Sequence, residues 1–145
     1  MTGPSLPRGG PSTELNPYRN KTMSQKIIIA DDEEHLGYMV KFKLEKSGYE
    51  VVWKMDGHSV LESVQKEKPD LVILDVMMPG LTGFEVLEKI KSDENLKSIP
   101  VVLLSAKTQE TDIVKGINLG AADYIIKPFR PAELLARVQR LIPTG

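Results

Sequence analysis

The 145-residue chain is long enough for one ordinary domain, and 41% apolar with 27% charged residues is the composition of a globular protein. The absence of cysteine excludes a disulfide scaffold, a thiolate metal site and a cysteine nucleophile. A net charge of −1 gives no basic excess for nucleic acid, and no apolar run approaches the roughly 18–20 residues of a membrane span. We expect a cytoplasmic protein whose domain binds neither membrane nor nucleic acid directly.

The first 24 residues differ in composition from the rest of the chain. Residues 1–24 contain four prolines and three glycines, and such a segment buries too little apolar surface to offset its chain entropy. We therefore expect a disordered leader, which could be vector-derived with the natural start at Met23. The folded domain is expected over residues 25–145.

Beyond the leader, short buried-strand runs alternate with segments whose apolar residues follow helical spacing. Strands are predicted at 26–30, 50–54, 70–74, 100–104 and 123–126. Helices are predicted around 36–44, 58–66, 84–92 and 111–119, and from Pro131 to Leu141. Five strand–helix units of this kind predict a doubly wound α/β fold, with a parallel sheet covered by helices on both faces.

In such a fold the functional site lies beyond the carboxyl ends of the strands, so the residues that follow each strand are the candidates. These residues are Asp31 and Asp32 after strand 1, Asp75 after strand 3, Ser105 after strand 4 and Lys127 after strand 5. The topology therefore predicts that three carboxylates, one hydroxyl and one ammonium group converge on one crevice.

This set of groups suits phosphoryl transfer. Clustered carboxylates repel one another unless a cation lies among them, and an all-oxygen donor set favours a hard ion such as Mg²⁺. Carboxylate attack on phosphorus gives an aspartyl phosphate. Ser105 could donate a hydrogen bond to the phosphoryl group and Lys127 could balance its charge. The residues thus favour covalent phosphorylation of Asp75.

Four motifs in this order resemble the CheY-like receiver domain of two-component response regulators over roughly residues 25–142. The motifs are Asp31-Asp32, Asp75 in DVMMPG, Ser105-Ala106, and YIIKPF beginning at Tyr124. The resemblance implies a flavodoxin-like fold with strand order 2-1-3-4-5. It also implies that Asp75 is a phosphoacceptor, served by a sensor histidine kinase or a phosphotransfer protein.

The resemblance implies metal ligands as well. Asp32 and Asp75 would bind Mg²⁺, or Mn²⁺, directly, Asp31 would act mostly through water, and Met77 would offer its main-chain carbonyl. No organic cofactor is implied.

The resemblance further implies a switch rather than an enzyme, with at most slow self-dephosphorylation. Ser105 and Lys127 would contact the phosphoryl group, Tyr124 would rotate inward behind it, and Lys127–Pro128 would be a cis peptide. The changed surface would act on an output domain or target outside this chain, which is either a stand-alone receiver or part of a longer regulator.

A homodimer is a further possibility. In receivers that resemble those of winged-helix transcription factors, Lys115, Asp123, Glu133 and Arg137 would form pairs between subunits. The alternative is an ordinary intrahelical pair between Glu133 and Arg137, which are four residues apart.

Ordinary structural roles are also open to several of these residues. The acidic run Asp31–Glu34 could begin a helix, Ser105 could cap another, and Lys127 could be a solvated loop lysine. His35 and His58 are expected at the surface, and the Trp53 ring is expected to pack on the sheet.

Three rival functions share this architecture. A flavodoxin-like electron carrier would need a glycine- and hydroxyl-rich phosphate loop after strand 1, where the acidic run would repel the FMN phosphate. A phosphohydrolase with an aspartate nucleophile usually has a second Asp two residues later, where this chain has Met77. A phosphorylation-independent adaptor stays open.

Overall fold

The computed structural model describes residues 24–106 and 109–144. Residues 1–23 lie outside these ranges, so the disordered leader expected over residues 1–24 stays a prediction.

Five strands and five helices alternate along the described residues. The strands are β1 (Lys26–Ala30), β2 (Glu50–Lys54), β3 (Leu71–Asp75), β4 (Val101–Ser105) and β5 (Asp123–Ile126). The helices are α1 (Glu34–Lys46), α2 (Gly57–Glu67), α3 (Gly83–Lys91), α4 (Glu110–Asn118) and α5 (Pro131–Leu141). Within the described ranges, none of these helices has the length and apolarity needed to cross a bilayer.

Two strands lie one residue later than predicted. Asp75 and Ser105 are therefore the last residues of β3 and β4 rather than the first residues of the following loops. Their main chains stay in the sheet, where Asp75 pairs with Leu104 and Ser105 pairs with Ile126. This pairing holds both side chains at the edge of the sheet.

The five strands form one parallel sheet in the order β2-β1-β3-β4-β5. This order confirms the predicted doubly wound fold. Because β1 pairs with both β2 and β3, the strand order reverses there, and the crevice of the fold opens beyond the carboxyl ends of β1 and β3.

The core consists of two apolar layers, one on each face of the sheet. Along β1, Ile27 and Ile29 belong to one layer, while Ile28 and Ala30 belong to the other. Helices α1 and α5 cover the first layer, and α2 and α3 cover the second. Burial on both faces explains why these strands are apolar without alternation.

On α1, the buried residues are not simply the apolar ones. Val40 is fully buried, whereas Met39 is 40% exposed, and Gly37 is buried instead. A Cβ at Gly37 would overlap the half-buried ring of Trp53, at 2.6 Å from Nε1. The Trp53 ring therefore packs against α1 as well as lying on the sheet, and it needs a glycine opposite it.

Tyr49 ties the start of β2 to the end of α5. Its side chain is buried, and its hydroxyl donates to Ile142 O at 2.7 Å. Burial also raises the pKa of the Tyr49 phenol. The bond therefore joins two segments far apart in the chain in a place that water does not reach.

We predict that Tyr49→Phe lowers the free energy of unfolding by about 1 kcal/mol, because it leaves a buried carbonyl without its donor. Chemical denaturation followed by circular dichroism measures the change. Tyr38→Phe is the matched control, since Tyr38 is 72% exposed, and it should leave the unfolding free energy within about 0.5 kcal/mol of the parent. Equal stabilities for the two variants would contradict the prediction.

Candidate functional site

Three carboxylates meet at the carboxyl ends of β1 and β3. One oxygen from each of Asp31, Asp32 and Asp75 lies within 4.8 Å of the others. Asp31 is 1% exposed and Asp75 is 4% exposed, while Asp32 is open to solvent. The predicted convergence of these acids is therefore present in the fold.

Hydrogen bonds fix the main chain and one carboxylate oxygen of Asp31, but the other carboxylate oxygen accepts none. Its amide donates to Lys54 O at 3.1 Å, and its Oδ1 accepts from Glu33 N–H at 2.8 Å. Its Oδ2 is buried and accepts no hydrogen bond. Burial, with a smaller contribution from the Asp75 charge, raises the pKa of Asp31 from 3.8 to about 6. A nearby cation would favour the charged form of this group.

Lys127 follows β5 and reaches back across the acidic cluster. Its Nζ donates to Asp75 Oδ2 at 2.9 Å and to Glu33 Oε1 at 2.6 Å, and lies 3.2 Å from Asp31 Oδ2. Burial by itself would lower the pKa of this ammonium group, but the bonds to Glu33 and Asp75 and the Asp31 charge outweigh it and raise the pKa. The peptide between Lys127 and Pro128 is cis, as the family resemblance implied.

The ion pair between Glu33 and Lys127 is one contact that the sequence does not predict. Glu33 belongs to the acidic run after strand 1, which indicates helix initiation but gives no sign of a contact with Lys127. The available signal was its position two residues after Asp31, which places it at the same edge of the sheet.

The loop after β3 is folded tightly around Asp75. Met77 N–H donates to Asp75 Oδ1 at 3.1 Å, and Gly83 N–H donates to Val76 O at 3.0 Å. A Cβ at Gly83 would lie 2.5 Å from the main-chain oxygen of Asp75, so α3 can begin this close only with glycine. The role inferred for the Met77 carbonyl as a metal ligand stays a prediction.

Ser105 and Tyr124 lie on neighbouring strands behind this cluster. Ser105 is fully buried, and its carbonyl accepts from Lys127 N–H at 2.8 Å. Tyr124 is 9% exposed, and a Cβ at Gly116 of α4 would lie 3.2 Å from its ring. The main chain therefore links Ser105 to Lys127, while Tyr124 packs beneath α4. Their roles in switching stay predictions.

A cleft of about 660 Å³ opens over Asp75 and Lys127. Besides acidic residues, its lining is largely apolar and comprises Leu36, Met39, Met77, Ala106, Pro128 and Phe129. The cleft gives a bulky group a route to the Asp75 carboxylate.

The residues present fit a hard divalent cation. The donors are carboxylate oxygens, and the buried Asp31 Oδ2 accepts no hydrogen bond. The two histidines, His35 and His58, are exposed as predicted and do not belong to the acidic cluster. Oxygen donors of this kind suit Mg²⁺ or Mn²⁺ better than softer metals.

The residues considered for possible pairs between subunits have partners within the chain. Arg137 donates to both oxygens of Asp123 at 2.9 and 3.1 Å, and lies 3.4 Å from Glu133. The intrahelical pair that was the alternative is thus present. Lys115 lies over the ring of Phe84, with Nζ at 4.7 Å from the centroid.

Comparison with known sequences gives one family. The model of the response regulator receiver domain matches residues 27–139. The alkaline phosphatase synthesis transcriptional regulatory protein PhoP of Bacillus subtilis is 42% identical over 120 residues, which cover 83% of this chain and 49% of that protein. The chain therefore spans about half the length of this curated relative.

Solved structures agree with the sequence matches. The chemotaxis response regulator CheY4 of Vibrio cholerae is 34% identical with a TM-score of 0.78, covering 82% of this chain and 99% of that one. The BeF3-activated DrrB receiver domain is also 34% identical, with a TM-score of 0.76, covering 84% of this chain and 100% of that one.

We predict that Asp31→Asn raises the free energy of unfolding of the metal-free protein by about 1–2 kcal/mol near neutral pH. The folded-state pKa of Asp31 lies above its unfolded value, so the charged carboxylate costs stability above about pH 6. This cost fades as the pH falls from 6 towards 3.8, and the advantage of the variant should shrink over the same interval.

Denaturation in EDTA at several pH values measures this effect. Asp93→Asn is the control, because Asp93 lies just beyond the end of α3 and its Oδ1 accepts from Asn95 N–H, a bond that asparagine can keep. A variant at Asp31 that is less stable than the parent in EDTA would contradict the prediction.

Proposed function

The chain belongs to the response regulator receiver domain family, whose members are signalling switches of two-component systems rather than classical enzymes, and we propose that Mg²⁺-dependent phosphorylation of Asp75 operates this switch. The observation that carries the proposal is the setting of Asp75. Asp75 is the last residue of β3. Its buried carboxylate accepts a hydrogen bond from Lys127 Nζ at 2.9 Å and has an oxygen within 4.8 Å of oxygens of two further carboxylates.

The phosphoryl donor is a phosphohistidine of a sensor histidine kinase or a phosphotransfer protein. A carboxylate oxygen of Asp75 forms the new O–P bond while the P–N bond to the imidazole breaks, and the imidazole nitrogen keeps the electron pair and takes up a proton. The apolar lining of the cleft over Asp75 gives the donor protein a surface to contact beside the reacting carboxylate.

Asp32 and Asp75 would hold the metal directly, with Asp31 acting mostly through water and Met77 through its carbonyl. When bound, Mg²⁺ supplies charge neutralisation for the carboxylates and the transferred group. Mn²⁺ has a similar preference for oxygen ligands and could substitute. The buried Asp31 Oδ2, which accepts no hydrogen bond, supports this assignment.

Lys127 and Ser105 convert the modification into a conformational change. A phosphoryl group adds charge and acceptor oxygens at Asp75, so the Lys127 ammonium and the Ser105 hydroxyl gain partners there. Moving an equilibrium from 1:99 to 99:1 takes about 5.5 kcal/mol, and one charge-assisted hydrogen bond supplies about 1.5–3 kcal/mol. Both contacts are therefore needed, and Tyr124, packed beneath α4, would follow them.

Turnover of the phosphoryl group is slow in this proposal. An aspartate-based phosphohydrolase places a carboxylate two residues after its nucleophile to activate water, whereas that position here is Met77, whose side chain is 59% exposed. The domain would therefore hold its phosphoryl group long enough to signal.

The output lies in contacts made by α4, β5 and α5. A homodimer through Lys115, Asp123, Glu133 and Arg137 would need the intrachain bonds of Arg137 to be exchanged for bonds across the interface. PhoP is named as a transcriptional regulator, and an output domain or target of that kind suits a dimer. The proposed location of this reaction is the cytoplasm.

We predict that the protein gains the mass of one phosphoryl group when it is incubated with phosphoramidate and MgCl₂. Asp75→Asn should gain none, because an amide nitrogen is not a nucleophile at neutral pH, and EDTA should suppress the gain in the parent. Intact-protein mass spectrometry measures the change. Asp93→Asn serves as the control and should be modified like the parent, whereas modification of Asp75→Asn would refute the assignment.

A second experiment tests whether modification at Asp75 changes the conformation of the domain. Lys127→Ala should still bind phosphate covalently or accept BeF3⁻, but the amide resonances of α4 and β5 should no longer shift as they do in the parent. Sedimentation in BeF3⁻ and MgCl₂ gives the oligomeric state, and a parent that stays monomeric would count against the dimer alone.

A further inference from the structure

Trp53, the single tryptophan of the chain, lies on β2 beside the acidic cluster but is not one of the residues assigned to it. We propose that Trp53 is a positioning residue for the divalent-cation site, because its indole N–H fixes the main chain of Asp31. The inference rests on the proposed Mg²⁺-dependent function and adds a residue to its site.

The indole takes the place of a missing strand partner. Ala30 and Lys54 form the last pair of the ladder between β1 and β2, so Asp31 lies just beyond the paired strands. Its N–H still donates to Lys54 O at 3.1 Å, and its carbonyl accepts from Trp53 Nε1 at 2.9 Å. Two consecutive residues of β2 therefore hold both main-chain polar groups of Asp31.

These bonds decide where the Asp31 carboxylate stands. With the main chain fixed and Oδ1 bound to Glu33 N–H at 2.8 Å, the remaining oxygen Oδ2 has little freedom. This is the buried oxygen that accepts no hydrogen bond and lies 3.2 Å from Lys127 Nζ. Ligand groups work only when their supports hold them to within about 0.5 Å, so loss of the indole bond would loosen the acid.

Gly37 provides the space in which the indole sits. A Cβ at this position would lie 2.6 Å from Trp53 Nε1, the atom that donates to Asp31. Gly37 N–H in turn donates to Glu33 O at 2.9 Å. The first turn of α1 thus packs against the ring. The N-cap residue of this helix is Glu33, whose amide donates to Asp31 and whose carboxylate accepts from Lys127.

A titration of MgCl₂ followed by calorimetry tests the proposal. Trp53→Phe keeps an aromatic ring against Gly37 but removes the N–H donor, and we expect it to weaken Mg²⁺ binding about three- to tenfold. Tyr49→Phe is the matched control, because it removes one buried hydrogen bond to a main-chain carbonyl at Ile142, which is not part of the acidic cluster. It should bind Mg²⁺ as the parent does.

A purely structural role for Trp53 would lower stability in both variants and change the Mg²⁺ affinity in neither. Equal affinities of the parent and Trp53→Phe would therefore overturn the inference while leaving the proposed function intact. A parent protein that binds no Mg²⁺ would overturn both.

Two further measurements test the positioning role of Trp53 without relying on Trp53→Phe. The chain has one indole N–H resonance, and it should shift during the MgCl₂ titration with the affinity that calorimetry gives. Gly37→Ala should displace the ring and weaken Mg²⁺ binding while the indole is still present. An unshifted resonance, or a folded Gly37→Ala protein with parental affinity, would count against the positioning role.

Discussion

Repulsion between buried carboxylates, held in check by one lysine, is the constraint on which the rest of this structure depends. The acids come from the ends of two adjacent strands, and Lys127 comes from the loop after a third strand. Lys127 bonds to both Asp75 and Glu33. Its single positive charge therefore offsets part of the negative charge of the metal-free site, which is not neutral. In the proposed mechanism, a cation or a phosphoryl group at this site would change the contacts of Lys127 and, through them, the conformation of the loop that carries it.

The same lysine connects the site to β5, the edge strand that pairs with β4. Its amide is bonded to Ser105 O at the end of β4, and Tyr124 precedes it by three residues on β5. The Tyr124 ring packs against α4 where Gly116 has no side chain. A short, continuous run of packed groups thus joins the acidic cluster to the surface of α4 and β5.

Much of this arrangement could be predicted from sequence, because buried parallel strands read as apolar runs and their carboxyl ends must meet. That logic placed Asp31, Asp75 and Lys127 in one crevice. It could not place Glu33 on Lys127 or the Trp53 ring on Gly37, since both contacts depend on the distance between elements that no periodicity encodes. Three-dimensional packing also decides that Met39 of α1 is 40% exposed while Gly37, which has no side chain, is buried.

Helix α4 buries fewer residues against the rest of the domain than α3, the helix that precedes it. Gly116 is its one buried residue, whereas α3 buries five residues, among them Phe84 and Ile90. A helix with so little apolar area against the core can tilt or slide at small energetic cost. We therefore expect any rearrangement that follows the proposed phosphorylation at this edge of the molecule, while the centre of the sheet stays rigid.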